Sequence, residues 1–198
     1  MATKRSAPRQ ASAIAAPARA PYDAAMPAPE FFYVPYERFL EEMETVARLI
    51  EADEWRPDFL VGIGRGGLVP AAYLSHRTGI ALLSVDHSTG EAGFGDELLD
   101  RLAAKIRDGA RILIVDDIND SGGTIEYLRA AIDAKSGDPA GLRIAVLVNN
   151  IRSRSHSEYH GSELDRDADK RWYVFPWEAV APRETLTREA AEVPERIA

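Results

Sequence analysis

Ile112-Leu113-Ile114-Val115-Asp116-Asp117-Ile118-Asn119-Asp120-Ser121-Gly122-Gly123-Thr124 sets the architecture. Its first four residues form a continuous apolar run, the mark of a strand covered on both faces. That strand delivers three carboxylates and then a small, hydroxyl- and glycine-rich turn that opens a helix. The backbone N–H groups of such a turn, with the hydroxyls of Ser121 and Thr124, suit a monophosphate, and the carboxylates just upstream suit ribose hydroxyls or a Mg²⁺. One loop can therefore hold both ends of a phosphorylated sugar.

The same order recurs upstream and downstream. An apolar entry at Phe31–Val34 precedes a helical spacing of Phe39, Leu40, Met43, Val46, Ala47 and Ile50, which predicts a helix over 35–53. Asp58–Ile63 reads as a strand that breaks into Gly64-Arg65-Gly66-Gly67 before a helix around 68–76. Strands near 80–85, 111–115 and 142–148 alternate with helices near 96–107 and 124–135, with loops at 86–95 and 116–123. Residues 149–171 are polar and aperiodic, and an aromatic strand returns at Trp172–Glu178. Alternating strands and helices predict an α/β fold, a parallel sheet flanked by helices.

Gly62, Gly64 and Gly67 satisfy the G-x-G-x-x-G spacing, with Asp86 downstream as a ribose-binding acid. Glycines at this position let backbone amides approach an anion at a helix N-terminus, which fits a dinucleotide or a diphosphate equally well. A nicotinamide-dependent dehydrogenase remains the reading that rests on this pattern. The absence of G-x-x-x-x-G-K-[ST] excludes a P-loop in which Asp116-Asp117 would be the acidic pair.

Composition narrows the class. The 198 residues carry 24 Lys and Arg against 32 Asp and Glu, a net charge of −8, which argues against nucleic acid or an anionic membrane as partner. Cysteine is absent, so thiolate chemistry, disulfides and cysteine-based metal sites are excluded. No stretch approaches the ~20 apolar residues of a membrane span, and a cytoplasmic location is expected. Residues 1–29 are rich in Ala and Pro, with Lys4, Arg5, Arg9 and Arg19 against Asp23 alone. Their prolines break the amphipathic helix of a transit peptide, so a disordered tail is expected there. His156 and His160 lie in a polar segment that does not read as a metal site.

The segment ILIVDDINDSGGT closely resembles the phosphoribosyl-diphosphate (PRPP) signature of type I phosphoribosyltransferases. VGIGRGGLVPA resembles that family's pyrophosphate loop, DHSTGEAG its mobile catalytic loop, and WYVFPWE the hood of its purine branch, the xanthine-guanine and hypoxanthine-guanine enzymes. The resemblance implies a type I phosphoribosyltransferase fold over residues 30–181, a small hood that includes 149–181, and a C-terminal tail at 182–198. It implies the conversion of PRPP and a nucleobase to a nucleoside 5′-monophosphate and pyrophosphate in nucleotide salvage, by a homo-oligomer, dimer or tetramer. A PRPP-sensing regulator on the same fold is the alternative, and the acidic body and lack of a DNA-binding module weigh against it.

Carried onto this chain, Asp116 and Asp117 would hold the ribose hydroxyls directly or through Mg²⁺. Ser121, Gly122, Gly123 and Thr124 would cradle the 5′-phosphate, and Asp120 would stand beside the purine N7 as the catalytic carboxylate. Arg65, with the amides of Gly64, Gly66 and Gly67, would take the pyrophosphate charge, and Ser88, Thr89 and Gly90 would close over the site. The resemblance further implies a non-proline cis peptide in the Gly64–Gly67 loop. Trp172 aligns with the aromatic that stacks on the base and Tyr173 with the residue whose backbone reads its edge, while Trp177 is taken as structural. One departure stands out: the purine enzymes carry a Lys after the strand equivalent to 143–148, where this chain has Asn149-Asn150. Asn150 is assigned to the base, with an amide that discriminates poorly between 6-oxo and 6-amino groups.

Overall fold

The computed structural model describes residues 28–85 and 94–193. Strand β1 (Phe31–Tyr33) leads into helix α1 (Tyr36–Ala52). The core then runs β2 (Phe59–Ile63), α2 (Gly64–Thr78), β3 (Ala81–Val85), α3 (Phe94–Arg107), β4 (Ile112–Asn119), α4 (Gly123–Ser136), β5 (Leu142–Asn150) and β6 (Tyr159–Leu164). Strand β7 (Trp172–Val174) and helix α5 (Arg183–Ala191) complete it. Five strands form a wholly parallel sheet in the order β3-β2-β4-β5-β6, and β1 pairs with β7 in a separate two-stranded sheet.

Alternation along the strands divides the core in two. Leu113, Val115, Ala145 and Leu147 face α1 and α2, packing with Phe39, Val46, Ile50 and Leu74. Ile112, Ile114, Ile144 and Val146 face α3 and α4, packing with Leu102, Ile106, Ile125 and Ile132. This is the two-sided cover expected of a parallel sheet. Right-handed crossovers place the helices: β2 to β3 runs one way across the sheet, β3 to β4 to β5 the other, so α2 lies on the face opposite α3 and α4.

Three sequence expectations change. β4 extends to Asn119, beyond the expected end at 115, and the Asn119 Nδ2 donates to Asn149 Oδ1 across the β4–β5 register at 2.8 Å. Strand β6 lies within the segment expected to be aperiodic and pairs in parallel with β5. The segment expected as a C-terminal tail carries α5, whose Leu186 and Ala190 are buried. Residues 1–27 and 86–93 lie outside the described residues, and with them the N-terminal tail, Asp86 and the Ser88-Thr89-Gly90 loop. No described helix is long and apolar enough to cross a membrane.

Candidate active site

The chain leaves β2 toward β3 and returns to β4 on the other side, so the carboxyl ends of β2 and β4 diverge and leave a crevice, where open α/β sheets bind ligands. The two loops that enter it touch. A Cβ on Gly66 would collide with the Asp117 carboxylate, and one on Gly67 with the Val115 carbonyl oxygen. Glycine is required here because α2 starts directly at Gly64, two residues after Gly62 pairs with Val115. The first-turn amides of α2 have no side-chain cap, and such amides suit an anion. Arg65 projects from this turn, largely exposed, and pairs with Glu189 of α5 at 3.1 Å. No peptide bond among the described residues is cis, so the cis peptide implied for this loop is not found.

On β4, Asp116 and Asp117 are half-buried, and the Asp117 N–H donates to Asp116 Oδ1 at 3.0 Å. The turn after them ends in Gly122, whose φ of 85° is a left-handed conformation that L side chains avoid. A Cβ there would also stand 2.5 Å from Ser153 Oγ. Gly122 is the N-cap of α4 and supplies no side-chain cap, and the Gly123 N–H makes only a long contact, 3.5 Å, to Ser121 Oγ, so the first-turn amides of α4 suit a phosphate. Arg154, which the sequence reading did not single out, comes within 2.9 Å of a Cβ built on Gly123 and pairs with Glu126.

Beyond these loops lies a pocket lined by Asp117, Ile118, Asp120, Arg166, Trp172, Tyr173, Phe175 and Glu178. The two-stranded hood sheet places its aromatic wall: Phe31 pairs with Trp172, and the Trp172 N–H donates to the Glu30 carbonyl at 2.7 Å. Trp177 stacks on Phe175 at 5.0 Å and meets Phe39 edge-on, an anchor to the core. Asp120 is buried, and Arg166 clasps its carboxylate: Nε donates to Oδ1 at 3.0 Å and Nη2 to Oδ2 at 2.7 Å.

Asn150, expected to face the base, has its amide engaged by the backbone. Nδ2 donates to the Asp120 carbonyl at 3.1 Å, and Oδ1 accepts from the N–H groups of Arg152 (3.1 Å) and Arg166 (3.3 Å). Asn149 likewise bonds Asn119 and Ser157. Asn150 is thus a joint that fixes Asp120 against Arg166. Asn150→Ala is expected to lower stability by about 1–3 kcal/mol, because buried backbone groups lose their partners. Equilibrium urea unfolding measures it, and an unchanged midpoint would refute the joint.

Glu178 is a second residue that the sequence reading left unassigned. Burial first, and then the negative charge of Asp117, push its carboxyl up to about 7, against a backbone N–H from Phe175 at 2.9 Å and the positive charge of Arg65. These side chains fit a Mg²⁺. Asp116, Asp117 and Glu178 are hard oxygen donors, and the repulsion between Asp117 and Glu178 is of the kind a divalent cation relieves. No group of three or more potential ligands clusters among the described residues. The ion would be held by one or two carboxylates, with substrate oxygens completing its shell.

Comparison with known proteins identifies the family. Residues 36–181 match the phosphoribosyl transferase domain family. The chain is similar to the xanthine-guanine phosphoribosyltransferase of Gluconobacter oxydans, 32% identical over 123 residues, covering 60% of this chain and 67% of the relative. It is 27% identical to that of Idiomarina loihiensis over 160 residues, 75% of this chain and 87% of the relative. Among solved structures, the purine phosphoribosyltransferase of Pyrococcus horikoshii superposes with a TM-score of 0.55 at 23% identity, covering 77% of this chain and 97% of the other. The Helicobacter pylori xanthine-guanine-hypoxanthine enzyme does so at 0.58 and 21%, covering 75% and 94%. The matched family spans both loops of the crevice and the aromatic hood, and the chain belongs to it as a phosphoribosyltransferase, an enzyme of the pentosyltransferase class.

Proposed function

We propose that this protein transfers the 5-phosphoribosyl group of PRPP to a purine base, giving a nucleoside 5′-monophosphate and pyrophosphate. The observation that carries the reading is the continuity of three sites: the α2 and α4 N-termini at the ends of adjacent strands, and the aromatic pocket that begins at Asp117 and Asp120. The α4 amides with Ser121 and Thr124 hold the 5′-phosphate. Asp116 and Asp117 hold the ribose hydroxyls, and Arg65 with the amides of Gly64, Gly66 and Gly67 holds the pyrophosphate.

Departure of pyrophosphate breaks the C1′–O bond and leaves an oxocarbenium-like ribose, to which the purine N9 bonds. Positioning and neutralisation of the leaving group therefore matter more than a protein nucleophile. Asp120 accepts the proton that leaves N7 as N9 forms its bond. Asp116 and Asp117 would hold the Mg²⁺ that accompanies PRPP, which would supply further charge neutralisation to the leaving group. The aromatic wall, with Trp172 on the base face and the Tyr173 backbone at its edge, holds the ring in place and limits water.

The test is pyrophosphate release from Mg²⁺-PRPP across a panel of free bases. Turnover with purines is expected, and release with none of them would refute the reading. Arg65→Ala is expected to weaken PRPP and pyrophosphate by roughly ten- to a hundredfold, the range for a lost charge-assisted contact, with little change for the nucleotide product. Equal losses for PRPP and nucleotide, measured by calorimetry, would remove Arg65 from the leaving-group site.

A further inference from the structure

We propose that Glu189 of α5 competes with pyrophosphate for Arg65: it holds Arg65 in the empty enzyme, yields it to pyrophosphate or PRPP, and so weakens both ligands and hastens release of the product. This role rests on the reading of Arg65 as the partner of the leaving group. It comes from a segment beyond the matched family region, which ends at 181, whereas α5 begins at Arg183. Leu186 and Ala190, four residues apart on one face of α5, are 1% and 0% exposed and fix the helix to the body of the protein. Arg183 lies over the Phe31 ring of the hood, 5.2 Å from its centroid, and Glu189 accepts from Arg65 Nη2 at 3.1 Å. The helix is thus tied to the hood at its first residue and to the start of α2 near its last.

The buried anchors, not the ion pair, keep α5 in place. Arg65 is 77% and Glu189 30% exposed, and pairs of that kind contribute little to stability, so the guanidinium is readily exchanged to another anion. Such an anion meets opposing charges at this mouth. Arg65 and the uncapped amides of α2 attract it, while Asp117 and Glu178 set two carboxyl groups nearby. After burial and the charge of Asp117, the charges of Glu189 and Arg65 also bear on Glu178, which places all four side chains around one opening. Pyrophosphate entering there must first detach Arg65 from Glu189 and then sit beside a carboxylate. Both effects favour its release.

The experiment titrates pyrophosphate, and inosine 5′-monophosphate for comparison, into the full chain with Mg²⁺, using wild type, Glu189→Gln, Arg65→Ala and the double variant. Glu189→Gln is expected to bind pyrophosphate about three- to tenfold more tightly, as one exposed ion pair and one like charge are removed. Its KM for PRPP should fall and pyrophosphate should dissociate more slowly, while the monophosphate changes by less than about twofold. A helix that served only to brace the fold would instead lower Tm and shift all ligands together. Without Arg65 there is nothing to compete for, so Glu189→Gln in the Arg65→Ala background should tighten pyrophosphate by less than about twofold. Unchanged or weaker pyrophosphate binding in Glu189→Gln, equal tightening of the monophosphate, or full tightening in the absence of Arg65 overturns the competition and leaves the proposed function standing. A wild type that binds neither pyrophosphate nor PRPP overturns the proposed function and the competition with it.

Discussion

Asp120→Asn is expected to lower turnover by about 10²–10⁴-fold, the usual loss when a general base is removed. Asn keeps the shape but cannot take the N7 proton, so single-turnover chemistry should slow while PRPP affinity stays near the wild-type value. The structure adds a stability effect, because Arg166 loses half of its charge pair in a buried setting. Breaking such a pair typically costs about 3–5 kcal/mol, and the Asn carbonyl, which still accepts one hydrogen bond, offsets part of this. Rates must therefore be normalised to the folded fraction. Near-normal turnover on the preferred base would exclude Asp120 as the base.

The pH dependence of stability is the second large effect. The Glu178 carboxyl is raised from 4.5 to about 7 in the folded protein. Between those values the native state holds a proton that the unfolded chain has released. Stability thus falls as pH rises through this window and levels off above it. At 1.36 kcal/mol per pH unit the fall is about 3 kcal/mol. Glu178→Gln removes the titration, so its stability relative to wild type should rise from about pH 5 to pH 8. Asp53, Asp165 and Asp169 are held low and act only in more acidic solution, where their stabilisation is lost as pH falls through their folded values. Denaturant titrations at four pH values would decide it, and parallel curves for the two proteins would show that Glu178 does not titrate there.

The order of strands and helices was legible wherever a strand is buried on both faces. Ile112–Val115 and Leu142–Val148 announce themselves by composition, and the glycines at the starts of α2 and α4 mark both loops of the crevice. Strand β6 was not legible. Tyr159-His160-Gly161-Ser162-Glu163-Leu164 is an edge strand with only its two end residues buried, and Gly161 at its centre makes room for Glu42 of α1. Apolar periodicity is absent from such a strand because its partner, not its sequence, defines it. Arg166 was hidden for a related reason: it sits in Asp165-Arg166-Asp167-Ala168-Asp169-Lys170-Arg171, a run whose composition reads as a solvated turn. Asn150 was assigned to the base by its alignment with the Lys of the purine enzymes, and no periodicity could show that this last residue of β5 spends its amide on the Asp120 carbonyl and on the Arg152 and Arg166 N–H groups.

The pairing of β1 with β7 joins residues about 140 positions apart in the chain. Closing so long a loop is slow relative to forming the neighbouring strand–helix units, whose contacts are local. The five-stranded sheet and both helix N-termini of the crevice can assemble without the hood, whereas the wall that holds Trp172 and Tyr173 forms only after the two distant segments meet. Hydrogen exchange should therefore find the Trp172 and Val34 amides, both donated to carbonyls across this pairing, opening more readily than those of β4 and β5. On the proposed function, base recognition would then be the last property acquired in folding and the first lost on partial unfolding, so that a mildly destabilised chain would keep its grip on phosphoribose after it had ceased to choose a base.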